Sequence, residues 1–208
     1  YFNSKKDNSF PIEILQEILQ GYFMDTEPFI INYSFNKNDI AYIPQVGYFK
    51  KGESSPYEPI LIRGDFEILK EVHPTQEKYF VEVYKGRIVN HNPEHNSVWK
   101  DYYEELFEAI EIIKHQLPDF YKELTFANKK IYLHDNPKIL NFTSIETLGM
   151  LFFYAIGRSN LIYFIEELIH QGSHNYLYYV VHNRKDYFKI DVDNLVMLDF
   201  TKQQWDYR

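Results

Sequence analysis

The second half of the chain carries the clearest periodic pattern of hydrophobic and polar positions. Over positions 98–117, apolar residues recur at helical spacing between acidic ones, which predicts a helix that Pro118 terminates. Two shorter apolar runs, at 129–133 and 147–154, are typical of strands. The second is apolar on both faces, as expected for a strand that is covered from both sides. A further apolar run predicts a helix that Ser159 caps and that continues to about Val181.

The first half of the chain shows shorter and less regular segments. Positions 12–20 have the apolar spacing of a short helix, with Pro11 at its start and Gly21 after its end. Glycine and proline then interrupt the pattern, which predicts a loop-rich region with short strands. The segments typical of strands, including two near the end of the sequence, are 29–33, 60–63, 78–84, 87–89, 187–190 and 195–200.

This order of elements mixes helices and strands without a regular βαβ alternation, which favours the α+β class. We therefore predict a single domain over residues 1–208, with a loop- and strand-rich part at 1–97 and a helical part at 98–208. The helix that begins at Ser159 is expected to lie mostly buried against a mixed or antiparallel sheet.

Composition and charge narrow the classes of function. The sequence is 45% hydrophobic and 18% aromatic, as in globular proteins. It contains no cysteine, which excludes disulfides, thiolate metal sites and a cysteine nucleophile. A formal charge of −8 disfavours a nucleic-acid partner. No apolar run reaches the roughly 18 residues that a membrane span needs, and no signal peptide is visible, so we expect a cytoplasmic protein without a membrane partner.

The helix that begins at Ser159 combines a strongly apolar sequence with four acidic and histidine residues, Glu166, Glu167, His170 and His174. Apolar residues on nearly every side predict that the helix is buried. The sequence has no lysine or arginine from position 159 to 183, so the two carboxylates have no local cation. Because a buried, unpaired carboxylate is destabilising or takes up a proton, we expect a distant cation, a proton or a metal ion to compensate.

Helical geometry groups these four side chains into two sets. Glu167, His170 and His174 lie within about 60° of one another around the helix, and Glu166 forms a second ridge with the same histidines. Two imidazoles and a carboxylate are ligands of zinc hydrolytic sites and of open iron(II) sites. Gly172, between the histidines, is expected to loosen or end the helix. The alternative to a metal site is a buried network in which these side chains hydrogen-bond to one another or to neighbouring strands.

A family resemblance rests on positions 142–178. The segment has a strand-like LGMLFF at 148–153, a short loop, and an apolar helix with an acid-x-x-His pattern followed by Asn175 and an aromatic-rich stretch. These features resemble the HExxH-type peptide hydroxylases, which are iron(II)/2-oxoglutarate enzymes that modify ribosomally made peptides. They resemble the zincin metalloproteases more distantly. The sequence EELIH at 166–170 then occupies the place of H-E-x-x-H, with Glu166 in place of the first histidine.

The resemblance implies a metal site around His170. Glu166 would supply the carboxylate ligand and His170 an imidazole, and His174 or His182 would complete the set. Glu167 would be the proton-handling acid beside the metal. The glutamate at position 166 leaves open the alternative that the chain is a relative without the metal.

Three functional hypotheses are compatible with these residues. The leading one is a non-heme iron(II) oxygenase that acts with 2-oxoglutarate on a peptide or small-molecule substrate. Arg158 or Arg184 is the residue type that would clamp the carboxylate of the co-substrate. A zinc hydrolase would instead need Glu167 as general base beside a metal-activated water. The third hypothesis is a non-catalytic binding or interaction domain with a buried Glu/His network.

Overall fold

The computed structural model describes residues 34–36, 38–71, 98–137, 139–144, 147–157, 159–181, 196–197 and 204–205. The predicted helix at 12–20 and the predicted strands at 29–33, 78–84, 87–89 and 187–190 lie outside these residues. Three of the candidate site residues, Arg158, His182 and Arg184, also lie outside them.

The first sheet along the chain is antiparallel. Strand β1 (Ile40–Ile43) pairs with β2 (Gly47–Lys50), and β2 pairs with β3 (Glu58–Pro59). Glycine is required at position 47, where φ is +149° and a Cβ would lie 2.3 Å from the carbonyl oxygen of Glu58. The missing side chain therefore lets β3 approach β2 closely.

The second sheet is mixed. Strand β4 (Leu61–Arg63) is antiparallel to β5 (Phe66–Leu69), whereas β5, β6 (Lys130–His134) and β7 (Met150–Tyr154) run parallel. Parallel neighbours need a long crossover, and the segment between β5 and β6 contains helices. The predicted α+β class is confirmed, and of the two sheet types that we predicted, mixed or antiparallel, the helices pack on a mixed sheet.

The described residues contain the helices α1 (Val98–Gln116), α2 (Pro118–Ala127) and α3 (Leu161–Val181). The helix predicted at 98–117 is confirmed as α1. Pro118 begins α2, a helix that the sequence analysis missed, because proline is as well suited to the first position of a helix as to ending one. The cap of α3 was predicted one residue too early, since the Oδ1 atom of Asn160 accepts the N–H of Tyr163 at 3.0 Å.

The predicted strands at 60–63, 129–133 and 147–154 correspond to β4, β6 and β7 with small shifts at their ends. The predicted strand at 195–200 overlaps β8 (Val196–Met197), which pairs with β9 (Gln204–Trp205). None of the helices in the described ranges is long and apolar enough to cross a bilayer.

Two hydrophobic clusters cover the two faces of the mixed sheet. The cluster on the helix side contains Ile68, Leu106, Ile110, Ile131, Leu133, Leu151, Phe153, Phe164 and Leu168. The cluster between the two sheets contains Tyr42, Tyr48, Leu69, Tyr132, Met150 and Phe152. In register, Ile131 lies opposite Leu151 on the helix side of the sheet, and Tyr132 lies opposite Phe152 on the other side. Residues of β7 alternate between the clusters, which confirms that this strand is covered on both faces.

Candidate functional site

The acid–histidine helix α3 buries only one of its faces. Its buried residues are Phe164, Leu168, Gln171, Gly172 and Asn175, which recur at helical spacing and pack toward the sheet and α2. The opposite face, which is exposed, carries Glu166, His170, Ser173, His174 and Leu177. Our expectation that Glu166 and the two histidines are buried is therefore wrong. The error arose because apolar residues also occupy the exposed face, as Ile162 does with 73% of its surface exposed.

The two histidines lie side by side on this exposed face. Their ring centroids are 4.9 Å apart, and the ring of His174 also lies over Tyr178, with 6.5 Å between centroids. Partial burial lowers the pKa of His174 below its ordinary value, and the nearby charge of His170 lowers it further. Both effects favour the neutral imidazole, which is the form that binds metals.

Gly172 does not end the helix, contrary to our prediction. It lies in the middle of α3 and is buried where α3 crosses α2. A Cβ at this position would lie 2.1 Å from Cδ1 of Leu124 and 3.4 Å from Nδ2 of Asn128. The glycine therefore serves close packing between two helices, and the helix remains continuous through both histidines.

Glu167 lies on the border between the two faces of α3. Its Oε2 accepts a hydrogen bond of 3.3 Å from Nε2 of Gln171, one turn further along the helix. Glu167 also contributes to the environment of Tyr163, whose pKa is raised to about 12, mainly by burial and in smaller part by this carboxylate. The Tyr163 hydroxyl donates to Oδ1 of Asn141 at 2.8 Å, beside the end of β7. Glu167 is thus already engaged on the side of the helix that faces the protein.

The geometry of the histidine pair suggests a different register for the motif. His170, Gln171 and His174 have the spacing of the H-E-x-x-H metal helix, with a glutamine in place of the glutamate. In that register both histidines are retained, whereas the register used in the sequence analysis replaced one of them by Glu166. The signal is present in the sequence as HQGSH at 170–174, where the residue after the first histidine is a glutamine instead of the glutamate of the motif.

The described residues supply part of a metal site. No group of three or more histidine, aspartate or glutamate side chains suited to a metal occurs among them. The neighbouring imidazoles of His170 and His174 fit two positions of an iron or zinc site, and Glu166 lies one turn before His170 on the same face. The candidates Arg158, His182 and Arg184 lie outside the described residues.

Two buried asparagines that the sequence analysis did not consider as functional residues lie beneath the histidine pair. Nδ2 of Asn175 donates to Oδ1 of Asn128 at 2.7 Å and to the carbonyl oxygen of Met150 at 3.0 Å. Nδ2 of Asn128 donates to the carbonyl oxygens of Leu124 at 2.8 Å and of Gly172 at 3.2 Å. The pair joins α3 to the end of α2 and to the start of β7.

Comparison of the sequence with models of known protein families finds no match, and comparison with curated proteins finds none either. The resemblance to the peptide hydroxylases therefore depends on the residues of the motif.

Proposed function

We propose that this protein is a metal-dependent enzyme, a non-heme iron(II) oxygenase that modifies a peptide with 2-oxoglutarate as co-substrate, and that His170 and His174 are two of its metal ligands. The observation that carries the proposal is the contact between the two imidazoles, whose centroids are 4.9 Å apart on an uninterrupted helix.

The side chains of Glu166, His170 and His174 on the exposed face of α3 support this assignment. Two imidazoles and one carboxylate form the ligand set of open iron(II) sites. Glu166 or His182 is our candidate for the third ligand, and Arg158 or Arg184 for the group that binds the carboxylate of the co-substrate. When bound, iron(II) supplies the redox chemistry that activates oxygen. The residues of the chain hold the metal and orient the substrate. Because the two histidines lie on the exposed face of α3, a substrate as large as a peptide can reach them.

The position after His170 favours an oxygenase over a zinc hydrolase. A hydrolytic H-E-x-x-H helix uses the residue after its first histidine as general base, and the amide of Gln171 cannot take up a proton at neutral pH. Glu167 is the remaining candidate base, but its carboxylate accepts a hydrogen bond from Gln171 and is half-buried. An oxygenase needs no base at this position.

Metal binding by the purified chain tests the proposal. After removal of metals with a chelator, the wild-type protein is titrated anaerobically with iron(II), and bound metal is measured after dialysis. We expect one iron per chain, and a loss of binding of at least about 10-fold in His170→Ala and in His174→Ala, because even the residues that only orient a ligand contribute about 10–100-fold to metal affinity. His115→Ala is the matched control, because His115 is also exposed on a helix and lies 3.3 Å from a glutamate, Glu111.

Oxygen consumption by the iron-loaded chain then separates the two enzyme classes. We expect consumption that depends on 2-oxoglutarate and that disappears in His170→Ala. A wild-type chain that binds neither iron(II) nor zinc would exclude both enzymes, and metal binding without 2-oxoglutarate-dependent consumption would favour the hydrolase.

One observation favours a second candidate, a non-catalytic interaction domain. Exposed apolar side chains cluster toward the end of α3, where the ring of Tyr179 lies 6.2 Å from that of Phe126 on α2, which is also exposed. Exposed apolar clusters of this kind often bind other proteins. This candidate predicts a metal-free wild-type chain whose properties are unchanged in His170→Ala.

A further inference from the structure

The asparagine pair Asn128–Asn175 lies on the buried side of α3, at the level of the exposed histidine pair. Both side chains are 0% exposed, and both N–H groups of each amide donate a hydrogen bond. Three of these four bonds hold α3 against two separate elements, the end of α2 and the first residue of β7, and the fourth, to the carbonyl oxygen of Leu124, fixes Asn128 at the end of α2. Such directional bonds fix the rotation of a helix about its axis, which apolar packing alone defines less sharply.

The asparagine pair is not an efficient way to stabilise the core. Oδ1 of Asn175 has no hydrogen-bond partner among the described residues, although it is fully buried. An unsatisfied buried acceptor is destabilising, whereas apolar side chains of similar shape would avoid this penalty. The presence of the amides here points to a requirement for defined geometry.

Gly172 adds a second constraint at the same level of the helix. Its missing side chain allows Leu124 to approach α3, and its carbonyl oxygen accepts one of the Asn128 bonds. The distance between α3 and α2 and the rotation of α3 are therefore both fixed between positions 172 and 175. His174 lies within this segment and His170 precedes it by half a turn.

A small rotation of α3 would displace the imidazoles by an amount that matters for metal binding. Side chains extend to about 5–6 Å from a helix axis, so a rotation of about 10° moves a ring by roughly 1 Å. Metal sites tolerate displacements of only about 0.5 Å. A helix held by apolar contacts alone would thus give a poorly defined pair of ligands.

We propose that Asn128 and Asn175 are positioning residues that set the rotation of α3 and thereby aim His170 and His174 at a bound metal ion. The inference rests on the proposed metal site. It adds a pair of residues that never touch the metal and yet determine its affinity.

Cobalt(II) is a suitable probe, because its visible absorption reports ligand geometry as well as binding. The main variant is the double substitution Asn128→Leu/Asn175→Leu, which removes both amides together, fills the same space and leaves no amide of the pair without its partner. We expect an unchanged or higher denaturation midpoint in urea, together with cobalt affinity that is at least about 10-fold weaker and an altered spectrum, as for other residues that orient ligands.

Two further variants keep the test decisive. Asn175→Ala should weaken cobalt binding to a similar extent. Thr125→Ala removes another buried polar group, whose hydroxyl donates to the carbonyl oxygen of Tyr121 within α2, and should leave cobalt affinity unchanged even if it lowers stability.

The possible results separate the two proposals. A wild-type chain that fails to bind cobalt or iron overturns the metal site, and with it the positioning role. A wild-type chain that binds cobalt, with the double variant folded and equal to it in affinity and spectrum, overturns the positioning role and leaves the metal site intact. If the double variant does not fold, the comparison of Asn175→Ala with Thr125→Ala decides in the same way.

Discussion

At the scale of single residues, Gly172 shows how one position can be read in two ways. In the sequence, a glycine between two histidines indicates a weak point in a helix, because glycine is a poor helix former. In the structure, α3 passes through it without a break, and Leu124 occupies the space that a side chain would need. The glycine is thus explained by its neighbour on another helix, which the sequence pattern around position 172 cannot reveal.

Substitution of this glycine tests the explanation. Gly172→Ala should lower the free energy of unfolding by up to about 2 kcal/mol, because overpacking costs about 1–3 kcal/mol and the gain in helix propensity returns about 1 kcal/mol. In a Leu124→Ala background the clash is absent, so the same substitution should be neutral or stabilising. Urea unfolding of the four proteins measures this coupling. Stabilisation of the wild-type background by Gly172→Ala would contradict the packing argument.

At the scale of the element, α3 is amphipathic although its sequence hides the fact. Phe164 is fully buried, whereas Ile162, two residues earlier, is largely exposed. Hydrophobicity alone does not distinguish these two residues. The buried direction of α3 is set by the sheet and by α2, against which Phe164, Leu168 and Gly172 pack.

Two alanine substitutions measure how much the buried and the exposed face of α3 contribute to stability. Phe164→Ala should lower the free energy of unfolding by about 3–5 kcal/mol, as for other buried aromatic side chains. Ile162→Ala should change it by less than about 0.5 kcal/mol, as is usual at exposed sites. Urea denaturation of both variants measures these changes in the free energy of unfolding. A large loss in Ile162→Ala would mean that this face of α3 is covered in the whole protein.

At the scale of the whole molecule, a buried carboxylate joins the two sheets. Glu67 of β5 is 3% exposed and accepts hydrogen bonds from the Tyr42 hydroxyl and, at 2.7 Å, from Nε2 of Gln45. In register it lies opposite Lys130, whose pKa is lowered by burial and partly restored by this carboxylate. The antiparallel sheet is thereby held to the mixed sheet by polar contacts as well as by the shared hydrophobic cluster.

Removal of this carboxylate should weaken both sheets together. We expect Glu67→Ala to lower the free energy of unfolding by about 1–3 kcal/mol, because it removes the carboxylate that accepts the hydrogen bond of the buried Tyr42 hydroxyl. Glu108→Ala, at an exposed position of α1, is the control and should change it by less than about 0.5 kcal/mol. Tryptophan fluorescence and far-ultraviolet circular dichroism should follow a single transition in both variants. Separate transitions would show that the sheets unfold independently.

The sequence by itself determined the elements of the described chain that have a strong period, and with them the α+β class. The helix at 98–117 and the covering of β7 on both faces followed from local patterns, because a residue's neighbours along the chain fix its direction within one helix or strand. The sequence also identified α3 as the element with the most distinctive chemistry.

Only the tertiary structure decided which way α3 faces, and this reversed the interpretation of its charged residues. A helix with apolar residues on every side has no preferred direction of its own, so contacts with β7 and α2 select one. The same contacts explain Gly172, reveal the asparagine pair and leave the face with His170 and His174 exposed. These features depend on contacts between residues 25 to 48 positions apart along the chain, and no local pattern carries that information.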